Sequence, residues 1–309
     1  MGFLSKIQRH SFSYLFDEAS KDAFFAPVVD DLVRYGYDIR RSFKDGLGAY
    51  APYALEIEQL QTAERYEQFL SEFKRKHDAG DVVARLRFFF WNGRAVNAHI
   101  FLHELMHFYQ DMFGLYFSPL KEEGVFPVKL DARSTIMLIL FNEAWAETQA
   151  LRSSWALKEQ GFDLCWEGAL RSCDWKDLAQ SYADDLISGM SEQEAAARLF
   201  LRWYEGDHRE AYEKHALFVF YKNEERFRAD LQDKDYLSFY RCLHLSALLS
   251  RLPEDETHQF LQFIDINDTH IFYPQIDLND FVRSDNTDIN DIRIGAPPYL
   301  FRQAKSGEC

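Results

Sequence analysis

Cysteine is scarce in this chain, and basic residues are too few to balance the acidic ones. The 309 residues include four cysteines, Cys165, Cys173, Cys242 and Cys309, with no zinc-ribbon spacing among them. A chain this long does not need disulfide staples, so the four read as reduced thiols in a cytoplasmic protein. The 35 Lys and Arg against 50 Asp and Glu leave a net charge of −15. That balance argues against nucleic acid as a partner, because phosphate-binding surfaces need clustered Lys and Arg. No apolar run approaches the length of a membrane-spanning helix, and the longest, Ile136 to Phe141, reads as a core element. The first ten residues lack a hydrophobic signal core, and Lys6 breaks the myristoylation pattern that Met1-Gly2 begins. There is no internal repeat and no low-complexity linker. Nothing in the composition fixes an oligomeric state.

Apolar and aromatic residues are abundant: 47% of the chain is hydrophobic, with 28 Phe and 16 Tyr. That supply suits a sizeable core and argues against disorder. The dominant period is helical. Phe24 to Phe43, Pro52 to Lys76, Thr135 to Lys158 and Trp175 to Ser250 carry apolar residues at three- and four-residue steps, the last with a break near Glu205-Gly206-Asp207. Ser191-Glu192-Gln193-Glu194 has the form of a helix start. Val82 to Trp91 is short, β-branched and aromatic, and is closed by Asn92-Gly93, so it reads as a strand. Gly124 to Leu130 is a second strand candidate. From Ile264 onward the chain is rich in Asp, Asn and Pro and reads as loops that Phe272 and other aromatics pack onto the body.

The segment that carries chemistry is His103-Glu104-Leu105-Met106-His107, an HExxH. Residues four apart lie on one face of a helix, so the two imidazoles can grip one zinc ion. The intervening glutamate then reaches a water on that zinc as general base. No Pro or Gly interrupts Arg94 to Phe113, and Phe101, Leu102, Leu105, Met106 and Phe108 give the helix apolar faces. The bland counter-reading is a half-buried helix whose histidines bond to neighbours. His99 extends the stripe by one turn. The span from His99 to His107 is about 12 Å, too long for one zinc with bonds near 2.1 Å, so His99 reads as a supporting or core histidine. The run Leu138 to Glu147 places Glu143 and Glu147 four apart in apolar surroundings. Two like charges on a buried face are costly, and a cation beside them relieves both the burial and the repulsion.

HExxH followed by Asn142-Glu143 and then Glu147 resembles the gluzincin zinc metallopeptidases, the thermolysin-like clan. The resemblance covers about Val82 to Leu151, and the pattern is also similar to that of bacterial metallopeptidases of unknown function. It implies one Zn2+ per chain held by His103, His107 and Glu143, with Glu104 activating the attacking water. Glu147, where the family more often has Asp, would orient a ligand histidine, beside Asn142. The substrate would be a peptide or protein. The implied fold is α+β and predominantly helical, a zincin-like core with a small sheet and extra helices. On this reading residues 1–80 are an N-terminal helical region, 81–160 the metal-binding core and 161–309 a C-terminal helical region packed on it. In such folds the strand before the HExxH helix can pair with an extended substrate. The metzincin extension does not fit, because no third histidine follows His107 in Phe108 to Gly114.

An oxyanion needs a further donor, and Tyr204, His208, Tyr212 and His215 are candidates that spacing does not separate. Two other readings compete. Glu104 to His107 and Glu205 to His208 are both ExxH, as in ferritin-like dinuclear iron proteins, with Glu143 or Glu147 and Glu58 or Glu67 completing the set. That reading gives His103 no role and puts Gly206-Asp207 inside a metal-bearing helix. A zincin-shaped binding protein is the other, and the intact Glu104 counts against it.

Overall fold

The computed structural model describes residues 13–35, 37–42, 48–52, 84–89, 93–112, 129–130, 132–172, 174–206, 209–214, 216–217, 220, 240–241, 256–265, 269–272 and 274–275. Helices dominate: α1 (Ser13–Ala19), α2 (Phe25–Tyr35), α3 (Arg94–Met112), α4 (Ala132–Glu159), α5 (Leu164–Arg171), α6 (Lys176–Ile187) and α7 (Glu192–Glu205). Residues 209–214 are helical as well, and two 3-10 segments follow, Glu256–Phe263 and Thr269–Phe272.

At the centre is α3. Every residue from Ala98 to Gln110 is buried. A helix buried on all sides lies inside a helical body rather than on its surface. It packs against α4 and α5, and α1 and α2 lie against it as well. Phe16 of α1 meets Phe101, and Phe24, just before α2, meets Tyr109 edge-on, with ring centroids 4.9 and 5.1 Å apart. The closest approach is at Gly168 of α5. A Cβ there would stand 2.0 Å from the Ala95 carbonyl oxygen and 3.1 Å from the His99 Cβ, so only glycine lets α5 lie this flat on α3.

The expected α+β class, a zincin-like core with a small sheet, is not the architecture found. The buried hydrophobic residues of the described core lie on the helices, on the 3-10 segments and in the turns beside them. Backbone pairing is confined to short segments: β1 (Tyr37–Ser42), β2 (Gly48–Pro52) and β3 (Ala84–Phe89) in the order β1-β3-β2, and a two-residue pair of β4 (Lys129–Leu130) with β5 (Tyr240–Arg241). Helix-on-helix burial carries the body because α3 and α4 are apolar on several faces and bury one another.

The short pairings also correct the expectation for the strand before the HExxH helix. β3 is the middle strand, parallel to β1 on one side and antiparallel to β2 on the other. Both of its edges are taken, so it offers no backbone edge to an extended substrate. The helical period expected across Phe24 to Phe43 stops at Tyr35, where strand β1 follows. Pro52 is the last residue of β2; the rest of the Pro52–Lys76 segment lies outside the described residues, as does most of Gly124–Leu130.

Other local readings hold. Ser191 caps α7 in a full capping box with Glu194. Gly206 is the C-cap at the break read from Glu205-Gly206-Asp207. Phe272 of the Asp-rich tail is 2% exposed and packs on Tyr204, ring centroids 5.3 Å apart. Among the described residues no helix is long and apolar enough to cross a membrane.

Candidate metal centre

Helices α3 and α4 bring the HExxH histidines and the two glutamates together. His103 and His107 share a face of α3, as their spacing requires, and their Nε2 atoms are 3.0 Å apart. Glu143 of α4 completes a triangle: Oε2 is 3.4 Å from His103 Nε2, and Oε1 is 3.4 Å from His107 Nε2. Among the described residues this is the one His/Cys/Asp/Glu group arranged to hold a metal ion.

The donor set fits zinc. With bonds near 2.1 Å, two ligands of a tetrahedral ion stand about 3.4 Å apart. The triangle's edges lie at or just under that separation. Two imidazoles and one carboxylate with an open fourth position form a known catalytic zinc set.

The far sides of the histidines are engaged, which sets their tautomers. His103 Nδ1 donates to Glu147 Oε2 at 3.0 Å, and His107 Nδ1 donates to Gln110 Oε1 at 2.9 Å. Gln110 is anchored in turn by donating to the Asn142 carbonyl oxygen at 2.9 Å. Each ring thereby keeps its proton on Nδ1 and turns Nε2 toward Glu143. Glu147 is 1% exposed, and its Oε1 accepts from His99 Nε2 at 3.0 Å. The Trp175 ring, at the start of α6, lies against both His99 and His103, with centroids 4.9 and 6.2 Å away. Side-chain exposure rises from 1% at Glu147 and 4% at His107 to 13% at Glu143, so the cluster opens on the Glu143 side.

Electrostatics agrees with a cation-seeking cluster. Burial works against charge on His103, but bonds to Glu143 and Glu147 outweigh it and hold the imidazole pKa well above the ordinary 6.5. Burial would also raise both carboxyls. The neighbouring histidines overcome that, holding Glu143 far below the usual carboxylate range and Glu147 at about 2. His103 therefore favours its charged form, a charge that a cation held by the triangle would replace.

A pH dependence follows. The His103 contribution to metal-free stability is complete below pH 6.5 and is lost as pH rises through its raised folded value. The Glu147 contribution is complete above 4.5 and is lost as pH falls toward about 2. A cation must displace the His103 proton, so its affinity is expected to rise about tenfold per pH unit from about pH 5 to 6.5. Chelator competition across that range checks this; a flat profile would contradict the protonated His103.

Glu104 is buried, 5% exposed, and lies outside the ligand triangle. It stands three residues before His107, on the same side of α3. Of the four oxyanion candidates, His208 and His215 lie outside the described residues. Tyr204 is 1% exposed and sits in the core, its ring against Phe200 and Phe272. Tyr212 is partly buried against Trp203, with centroids 5.5 Å apart. The charge of Glu143, then burial, then the charges of Glu147 and Glu104 push its hydroxyl well above the ordinary phenol value. Tyr212 is therefore a neutral O–H within the field of the cluster.

The dinuclear alternative finds no second site among the described residues. Glu205 is exposed at the end of α7, while Glu58, Glu67 and His208 lie outside the described residues. Spacing did not reveal Gln110, Ser154 or Trp175. Gln110 alone had a local signal, standing one turn after His107.

No curated protein matches the chain. No solved structure matches it either. Residues 92–248, from just before α3 to beyond the Tyr212 segment, match one family model and span just over half of the 309 residues. That span holds the whole cluster, and by this match the chain belongs to the family described as "Putative metallopeptidase family (DUF6782)".

Proposed function

We propose that this protein is a zinc-dependent peptidase of the gluzincin kind, with one Zn2+ per chain held by His103, His107 and Glu143. The observation that carries the reading is the donor triangle, with edges of 3.0 to 3.4 Å and both imidazole Nδ1 atoms already engaged elsewhere. When bound, zinc supplies a Lewis acid that lowers the pKa of a water to about 7.

The chain's own residues do the rest. Glu104 takes a proton from the attacking water and passes it to the leaving amine. Tyr212, kept neutral by the surrounding carboxylates, donates to the oxyanion that develops on the scissile carbonyl. Glu147 and Gln110 hold the two imidazoles so that Nε2 faces inward. A peptide enters from the Glu143 side, where exposure is greatest.

The test is elemental analysis of protein purified without added metal, joined to a peptide-library cleavage assay. About one zinc per chain is expected, with cleavage lost on chelation and restored by added zinc. Two irons per chain would replace this reading with a dinuclear carboxylate protein. A metal-free protein, or cleavage that ignores chelation, would refute it.

A further inference from the structure

Glu147 divides its two carboxylate oxygens between two imidazoles. Oε2 accepts from His103 Nδ1 and Oε1 from His99 Nε2, each at 3.0 Å. One bond to His103 would leave the carboxylate free to swing about its terminal torsion, which has broad, shallow wells. The second bond removes that freedom. It also supplies the further donor that a buried carboxylate needs.

His99 is itself held on three sides. It is fully buried, its Nδ1 accepts from the Ser154 hydroxyl at 3.2 Å, and the Trp175 ring covers it at 4.9 Å. Ser154 lies seven residues after Glu147 on α4, so the two ring nitrogens of His99 bridge two turns of that helix. Close by, α5 presents Gly168, where a side chain's Cβ would stand 3.1 Å from the His99 Cβ.

We infer that His99 is a positioning residue for the metal centre. It fixes the rotation of Glu147, and through Glu147 it fixes the tautomer and aim of His103. Glu147, which only accepts, keeps the His99 proton on Nε2, and Ser154 donates to the Nδ1 that this leaves bare. The sequence Ser154–His99–Glu147–His103 is a chain of buried hydrogen bonds that ends on a ligand and never touches substrate. The inference rests on the metal-site reading above.

Two variants in the full chain test it. His99→Phe keeps a ring and removes both nitrogens. His99→Gln restores an amide N–H near the place of Nε2. The readouts are Co2+ affinity by competition with a chromophoric chelator and the visible spectrum of the Co2+ protein, with metal-free melting recorded alongside. Removing a hydrogen bond behind a ligand weakens metal binding by about 10- to 100-fold, which is the expected loss for His99→Phe. The Co2+ bands should shift as the ligand field distorts. His99→Gln should recover affinity to within about threefold of wild type. In a Glu147→Gln background His99→Phe should cost little further affinity, because both act through one bond.

Wild-type Co2+ binding in His99→Phe, or a loss undiminished in the Glu147→Gln background, would overturn the inference and leave the metal site standing. A wild-type protein that binds no Co2+ would overturn the metal site and this inference with it. Should His99→Phe fail to fold, Ser154→Ala decides: a loss of about two- to tenfold supports the chain of bonds, and unchanged affinity overturns it.

Discussion

Glu104→Gln is expected to lower peptide turnover by about 10²- to 10⁴-fold while the metal content stays at its wild-type value. The two side chains have nearly the same shape, so the amide should fit where the buried Glu104 carboxyl does. What changes is chemistry. An amide cannot accept a proton from water and return it to an amine. Glu104 is not one of the three donors, so the cation should remain. Turnover must be compared at matched metal occupancy, with a melting curve to show that the variant folds. Hydrolysis retained at near the wild-type rate would remove Glu104 from the mechanism. Loss of metal along with activity would instead make Glu104 part of the binding set.

Replacing the two glutamates of α4 separates a ligand from its support. Glu143→Ala removes one of three donors and should weaken metal binding by more than about 100-fold. Glu147→Ala leaves all three donors in place and frees His103 to rotate, so its loss should fall within about 10- to 100-fold. The metal-free proteins should differ from wild type as well. Without either carboxylate His103 loses a partner that favours its charged form, so its pKa should fall back toward 6.5 in both variants. Affinity by chelator competition, with the histidine titration followed by NMR, checks both. The opposite order of affinities would exchange the two roles.

How far the sequence could be read depended on the range of the signal. His103, Glu104 and His107 were legible because a helix encodes its face in spacings of three and four. Glu143 and Glu147 were legible for a related reason, as two charges one turn apart in an apolar run. His99 could be set aside as a ligand by helical rise alone, yet nothing local showed that it would share a carboxylate with His103. That sharing depends on how α3 and α4 cross. Trp175 lies 72 residues beyond His103, and only the packing of α5, which ends just before it, against α3 brings the two rings together. The tyrosine candidates could not be separated because the break at Gly206 resets the helical phase between Tyr204 and Tyr212.

The fold class failed for a physical reason too. The segment Val82 to Trp91 does contain a strand, so the local reading was sound there. Strand propensity says nothing about which layer carries the core. In this chain α3 is wrapped mostly by other helices, with β2 also against it, and the described core lies on the helices and the turns beside them.

That wrapping has a thermodynamic consequence. The residues proposed to hold the cation sit on the most enclosed helix and its partner, where amide exchange requires opening close to the whole body rather than a peripheral turn. A cation that binds the folded chain and not the unfolded one links occupancy to stability, and at 100 times its dissociation constant it adds about 2.7 kcal/mol to the entire helical body. Metal supply would then govern how long the folded chain survives as well as how fast it works.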